Sequence, residues 1–270
     1  MENNKPYLGI TGITLFVELR KIIDFIKRYR LDQVKSHDIM INLLISHRYF
    51  TNHTHYPHRD EYIKPKEVLN ILPAILGYEN IKYALHYNTN RKDFSKEIIQ
   101  ILNVKYNEKY VYDVIDVIQL NIIEPDENEI RIIKETFPNI KIILQIVDKW
   151  LIPSELLIHD LKKKYNDVVD YLLLDISRGI GKSIDLYSIN YVNAYKMYYK
   201  IFNKPIGFAG GFNGDNIILR INRINEIIDS YNFSIDAQGR LRDIDNKLDL
   251  QLVELYIKNF AKFFIQNKTF

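Results

Sequence analysis

Short runs of β-branched and other apolar residues alternate along the whole chain with longer stretches in which apolar side chains recur at three- and four-residue spacing. The first pattern is that of buried strands and the second that of amphipathic helices. Eight apolar runs stand out, at residues 7–12, 39–45, 81–87, 114–120, 140–147, 171–176, 205–209 and 233–236. Between them lie helical stretches: 16–29, with Leu19, Ile22, Ile23 and Ile26 on one face; a segment opening at Pro65, with Val68, Leu69, Leu72 and Ile75; 94–102; and 126–137. The series continues with a helix after Pro153 that ends in the basic run at 162–164, then 191–202, a helix beginning near Gly214 to Asn216, and 248–264. Proline suits a first helical turn, and lysines suit the carbonyl end of a helix. Strand six, nearly continuous in apolar residues, reads as buried on both faces, as in a parallel sheet. Eight βα units in this length predict an α/β fold, one (β/α)8 barrel domain spanning 1–270, with an open doubly wound sheet as the competing architecture.

Composition narrows the chemistry. The 270 residues carry 37 basic and 34 acidic side chains, a net charge of +3, which gives no electrostatic reason to expect a nucleic acid or an acidic membrane as partner. There is no cysteine, so disulfides, thiolate metal sites, iron–sulfur clusters and cysteine nucleophiles are excluded together. The opening Met-Glu-Asn-Asn-Lys-Pro lacks a basic segment followed by an apolar run, and no apolar stretch approaches the roughly 20 residues of a membrane span. The expected location is cytoplasmic, the expected state a monomer or homodimer, and no cofactor motif is present.

In such a barrel chemistry belongs at the carboxyl ends of the strands, here Thr11, Arg48, Asn88, Asn121, Asp175, Gly210 with Gly211, and Asp236. Gly210 and Gly211 end the seventh strand just before a helix, and with Gly239 they form the kind of glycine loop that lets backbone amides approach a phosphate. Gly-Lys-Ser at 181–183 is not a nucleotide-binding P-loop, because the glycine required five residues earlier is Ile176. Asp175 is more telling: a carboxylate closing an apolar buried strand is costly unless it is paired or functional. Arg220, Arg223 and Glu226 recur at helical spacing and read as a solvated outer face.

Taken in order, Gly9-Ile10-Thr11-Gly12-Ile13-Thr14, Ser46-His47-Arg48-Tyr49, Ile118-Gln119-Leu120-Asn121 with Glu124, Leu174-Asp175 through Gly179-Ile180-Gly181-Lys182-Ser183-Ile184-Asp185, Ala209-Gly210-Gly211-Phe212-Asn213, and Ile235-Asp236-Ala237 with Gly239 are similar to the strand-end motifs of one family. The chain resembles phosphoribosylanthranilate isomerase, the (β/α)8 barrel of tryptophan biosynthesis, over almost its whole length. The resemblance implies a phosphorylated small-molecule substrate and an Amadori-type aldose–ketose isomerisation. By position it makes Asp175 the acid that protonates the ring oxygen, Arg48 the holder of a carboxylate, and Gly210, Gly211 and Gly239 the phosphate loop. Gly179, Gly181, Asn121 and Asp236 join the same mouth.

The departures are chemical. The family's general base is a cysteine at the end of strand one, where this chain has Thr11, and a threonine hydroxyl is too weak an acid to take over that role unaided. Asn121 stands where the family has a histidine, and Ala237 with Gln238 where it has a pair of serines. The loop after strand two carries His53, His55 and His58 with Tyr56 and Tyr62. Their spacing is not a helical ligand arrangement and Pro57 would break one, so the segment reads as a solvated or substrate-facing loop rather than a metal site. A loop histidine, Asp236 and His86 are the candidates for the missing base. Two other functions fit the sequence: a divergent paralogue acting on a different phosphorylated small molecule, and a non-catalytic barrel that binds a phosphorylated ligand.

Overall fold

The computed structural model describes residues 4–48, 61–72, 78–176 and 182–266. Eight parallel strands close into a barrel: β1 (Tyr7–Thr11), β2 (Asp38–Ser46), β3 (Ile81–Asn88), β4 (Val117–Asn121), β5 (Lys141–Ile146), β6 (Tyr171–Asp175), β7 (Ile206–Ala209) and β8 (Ser234–Ala237). Each pairs with its sequence neighbours, and β1 meets β8 in parallel through Leu8 opposite Ile235 and Gly9 opposite Asp236. The helices that follow the strands are α1 (Phe16–Arg28), α2 (Pro65–Ile71), α3 (Phe94–Leu102), α4 (Glu127–Thr136), α5 (Glu155–Tyr165), α6 (Ile189–Ile201), α7 (Ile217–Ile228) and α8 (Leu250–Gln266). The fold is the expected (β/α)8 barrel.

Local chemistry sets the helix starts. The Glu18 carboxylate accepts from the backbone of Thr14 and Leu15 ahead of α1, Asp126 accepts from Asn128 N at α4, and Ser154 accepts from Leu157 N at α5. Two elements depart from the sequence expectation. Strand four begins at Val117 rather than 114, because Asp113 accepts from Tyr110 N and turns 111–113 into a single 3-10 turn, leaving Val114 and Ile115 buried ahead of the sheet. A two-stranded ribbon, Lys105–Tyr106 against Lys109–Tyr110, precedes that turn.

Two apolar cores result. The larger lies between strands and helices. The smaller fills the barrel and is made by Tyr7, Met40, Ala84, Val117, Ile143, Tyr171, Leu173 and Ala209. Tyr7 and Tyr171 meet edge-on in it, ring centres 5.7 Å apart. Successive strand residues point to opposite faces, so the residues two places beyond this layer also point inward.

Candidate active site

That next inward layer is polar. It consists of Thr11 on β1, Asn42 on β2, His86 on β3, Gln119 on β4, Gln145 on β5, Asp175 on β6 and Asp236 on β8, all buried. Buried polar groups are tolerated when they satisfy one another. The Thr11 hydroxyl donates to Asp236 Oδ1 at 2.9 Å and accepts from Asn42 Nδ2 at 2.7 Å, while the same Asn42 nitrogen lies 3.4 Å from Asp236 Oδ1. The Gln119 side chain hydrogen-bonds to Asp236 as well. Gln145 Nε2 donates to Asp175 Oδ2. Gly9 makes room for this arrangement, since a Cβ there would stand 2.4 Å from Asp236 Oδ1. The Asn42 and Gln145 amide nitrogens are turned toward the carboxylate and hydroxyl oxygens, and the carbonyl oxygens of Asn42, Gln119 and Gln145 are left without partners among the described residues. Both ring nitrogens of His86 are likewise unpartnered there.

Burial dominates the electrostatics. It pushes the Asp236 carboxyl up to about 6, with the charge of Asp175 adding to the rise and the hydrogen bonds from Thr11 and Gln119 opposing it. The two carboxylates sit on strands flanking β7, where Ala209 is the register partner of both. Burial takes His86 down to about 4, so its imidazole is neutral at physiological pH. Burial also raises the phenols of Tyr7 and Tyr256, and the Asp236 charge raises both further.

At the mouth, Gly210 adopts φ +118°, and a Cβ there would meet the Lys182 carbonyl at 2.9 Å. Its own carbonyl accepts from Ile184 N at 3.0 Å and from Arg220 Nη1 at 2.8 Å. The Gly211 carbonyl accepts from Asn216 Nδ2 at 2.9 Å, and Asn213 and Asn216 exchange backbone-to-side-chain hydrogen bonds at 3.1 Å just before α7. Gly239 opens the 3-10 turn Gly239–Leu241 after β8.

The expected ion pair forms between Arg223 and Glu226 at 2.8 Å, but Arg223 is only partly exposed and its Nε also donates to the Leu186 carbonyl at 3.1 Å, and Arg220 departs further from an outer face. Arg220 sits on the first turn of α7 and folds back to the Gly210 carbonyl with its guanidinium 5.1 Å above the Phe212 ring. Burial and then the charge of Arg240 from the strand-eight loop lower its pKa. Two cations therefore approach one another beside Gly210.

Other expected site residues are more dispersed. Arg48 lies exposed just beyond β2, its backbone N donating to Ser46 Oγ at 3.3 Å. Asn121, half-buried at the end of β4, lines a cavity of about 830 Å³ with Asn88, Arg91, Lys92, Glu124 and Lys164. Gly179 and Gly181, and His53, His55 and His58, lie outside the described residues. Among the described residues no group of three His, Asp or Glu side chains could hold a metal ion, and no helix is long and apolar enough to cross a membrane.

A tie across the mouth was not foreseen from sequence. Arg242, with its side chain 3% exposed, donates to the carbonyls of Gly12 and Asn246 and faces Glu61 at 3.7 Å. Glu61 also accepts from Gln238 and Asn246, which joins the end of the strand-two loop to the strand-eight loop. Asn42 and Gln145 were also missed. Their signal was a lone amide inside an apolar strand at the inward parity of Thr11 and Asp175.

No protein-family model and no curated protein matches the chain. Solved barrels do. The structure of TrpF from Jonesia denitrificans superposes with a TM-score of 0.57 at 11% identity, covering 95% of this chain and 97% of that one. The tryptophan synthase alpha chain from Legionella pneumophila subsp. pneumophila follows at a TM-score of 0.52 and 12% identity, covering 97% and 92%. These likenesses establish the fold. At such identities they leave the chemistry to the site itself.

Proposed function

We propose that this protein is an enzyme acting on a small phosphorylated sugar derivative, and that its reaction is the Amadori-type isomerisation of a phosphoribosyl amine, phosphoribosylanthranilate in the first instance. The observation that carries this reading is the pair of buried carboxylates, Asp175 and Asp236, at the mouth end of the barrel, one raising the pKa of the other. Two carboxyl groups facing one site can divide the giving and taking of protons that an acid–base isomerisation requires. Asp175 donates a proton to the ring oxygen as the sugar opens. Beside them, Arg220 and Arg240 concentrate positive charge at the Gly210–Gly211 turn, where a substrate phosphate is received together with the turn at Gly239. Arg48 and Asn121 stand on the opposite rim, for the aromatic part of the substrate. TrpF is a phosphoribosylanthranilate isomerase of the same fold, which supports the reading by analogy only.

The test is conversion of phosphoribosylanthranilate by the purified protein, with Asp175→Asn as matched control. The expected result is turnover by the wild type and its loss in the variant, with ligand affinity little changed. Equal losses of turnover and affinity would count against the acid role. One observation favours a second reading: Thr11, fixed between Asn42 and Asp236, stands where the resemblance expects a thiol. It points to a different phosphorylated small molecule handled by the same carboxylates. Turnover of another phosphorylated aldose or glycosylamine, with none of phosphoribosylanthranilate, would select it.

A further inference from the structure

An Amadori isomerisation needs a group that removes a proton from the sugar carbon C2, and among the described residues four inward-facing groups compete for that task. Thr11 is committed: its hydrogen points at Asp236 and its lone pair receives Asn42. His86 has no described partner to orient it, and both ring nitrogens are fully shielded. Asp175 is occupied by Gln145 and, in the reaction above, serves the ring oxygen. Asp236 differs from these. Three side chains from three strands, Thr11, Asn42 and Gln119, hold its carboxylate, and Gly9 leaves it the space. It retains 6% exposure at the mouth end of its strand. We propose that Asp236 is the proton acceptor at the sugar carbon, with Thr11 as the residue that positions it.

This rests on the isomerase reading and completes its proton balance. After Asp175 has protonated the ring oxygen and the C1–O bond has broken, the substrate is an iminium ion. Asp236 takes the C2 proton; the C–H electron pair becomes the C1=C2 bond and the iminium π pair returns to nitrogen. Asp236 then delivers its proton to C1 while the C2 hydroxyl loses its own to water, from which Asp175 is reloaded. C2 is oxidised and C1 reduced, so no outside oxidant takes part. The titratable groups facing Asp236 are Asp175 from β6, Tyr7 from β1 and Tyr256 from α8. Among the described residues no cation joins them in acting on Asp236. The burial that raises Asp236 makes it a stronger base than an ordinary carboxylate while leaving it ionised at neutral pH.

Solvent exchange separates the two carboxylates. In deuterium oxide, the wild type is expected to exchange the C1 protons of the ketose product, a step that needs the base but not ring opening. Asp236→Asn should lose both turnover and exchange by at least about a hundredfold, whereas Asp175→Asn should lose turnover and keep exchange. Melting curves confirm that both variants are folded. Thr11→Val should move the acidic limb of the turnover–pH profile upward, because a donor that favours the ionised carboxylate is gone, and Thr11→Ser should leave it in place. Less than about a hundredfold loss of exchange in Asp236→Asn, or a Thr11→Val limb that does not move, overturns the assignment and leaves the isomerase reading standing. A wild type with neither turnover nor exchange sinks both.

Discussion

Replacing Asp236 by asparagine removes a charge from the barrel interior without changing the shape of the side chain, and its effect on stability follows from the proton it binds. In the unfolded chain the carboxyl has its ordinary value of 3.8; in the folded barrel, burial and Asp175 take it to about 6. Between those values the folded state binds the proton more tightly, so stability is fully present below 3.8 and falls as pH rises through the window. By pH 8 the ionised carboxylate costs about 3 kcal/mol relative to pH 3.8, two units and a fraction at 1.36 kcal/mol each. Asparagine carries no such cost and keeps an oxygen to accept the Thr11 hydroxyl. Asp236→Asn is therefore expected to gain about 2–3 kcal/mol over wild type between pH 4 and pH 8. At about 2–4 °C per kcal/mol that is a Tm difference near 4–12 °C. Urea titrations of both proteins at pH 4, 6 and 8 measure it directly, and the histidines cancel because both proteins carry them. A variant that is less stable at every pH, or whose difference from wild type does not change with pH, would refute the placement of a strained carboxylate in the interior.

Two further perturbations probe neighbouring parts of the architecture. Burial holds the His86 imidazole neutral, lowered to about 4, so the folded state resists the proton that the unfolded chain accepts below 6.5, and stability is lost as pH falls through that window. His86→Leu should abolish about 3 kcal/mol of that acid-side loss and be at least as stable as wild type at pH 7, since two unpartnered nitrogens disappear; urea midpoints at pH 4.5 and 7 decide, and an unchanged acid-side loss would count against it. Glu61→Gln removes the foremost of the carboxylates facing the buried Arg242 guanidinium and, with Glu18 and Asp243 still acting on it, should cost about 1–3 kcal/mol at neutral pH. A denaturation midpoint equal to that of wild type would show that the tie between the second and eighth loops carries no weight.

The repeating unit was legible in the linear pattern of residues. Alternation of two hydrophobic periods is a local property, and it predicted eight βα units and placed Thr11, Asp175 and Asp236 within a residue of their strand ends, whereas Arg48 falls two residues beyond β2. What it placed poorly depends on local competition: the side chain of Asp113 captures Tyr110 N and delays β4 by three residues, which apolar content alone does not reveal. Which inward side chains meet is set by the closure of the barrel. Thr11 and Asp236 are 225 residues apart and touch because closure of the barrel sets β1 beside β8 in a register that puts Gly9 opposite Asp236. Asn42 and Gln145 read as irregularities in apolar strands until that closure turns them toward the carboxylates. Arg220, which helical spacing assigns to solvent, reaches instead to the Gly210 carbonyl, because a long side chain on the first turn of α7 lies within reach of the turn that precedes it. Strand and helix follow from periodicity along the chain; the meeting of Thr11, Asp236 and their partners follows from the closure of the sheet, which no single segment encodes.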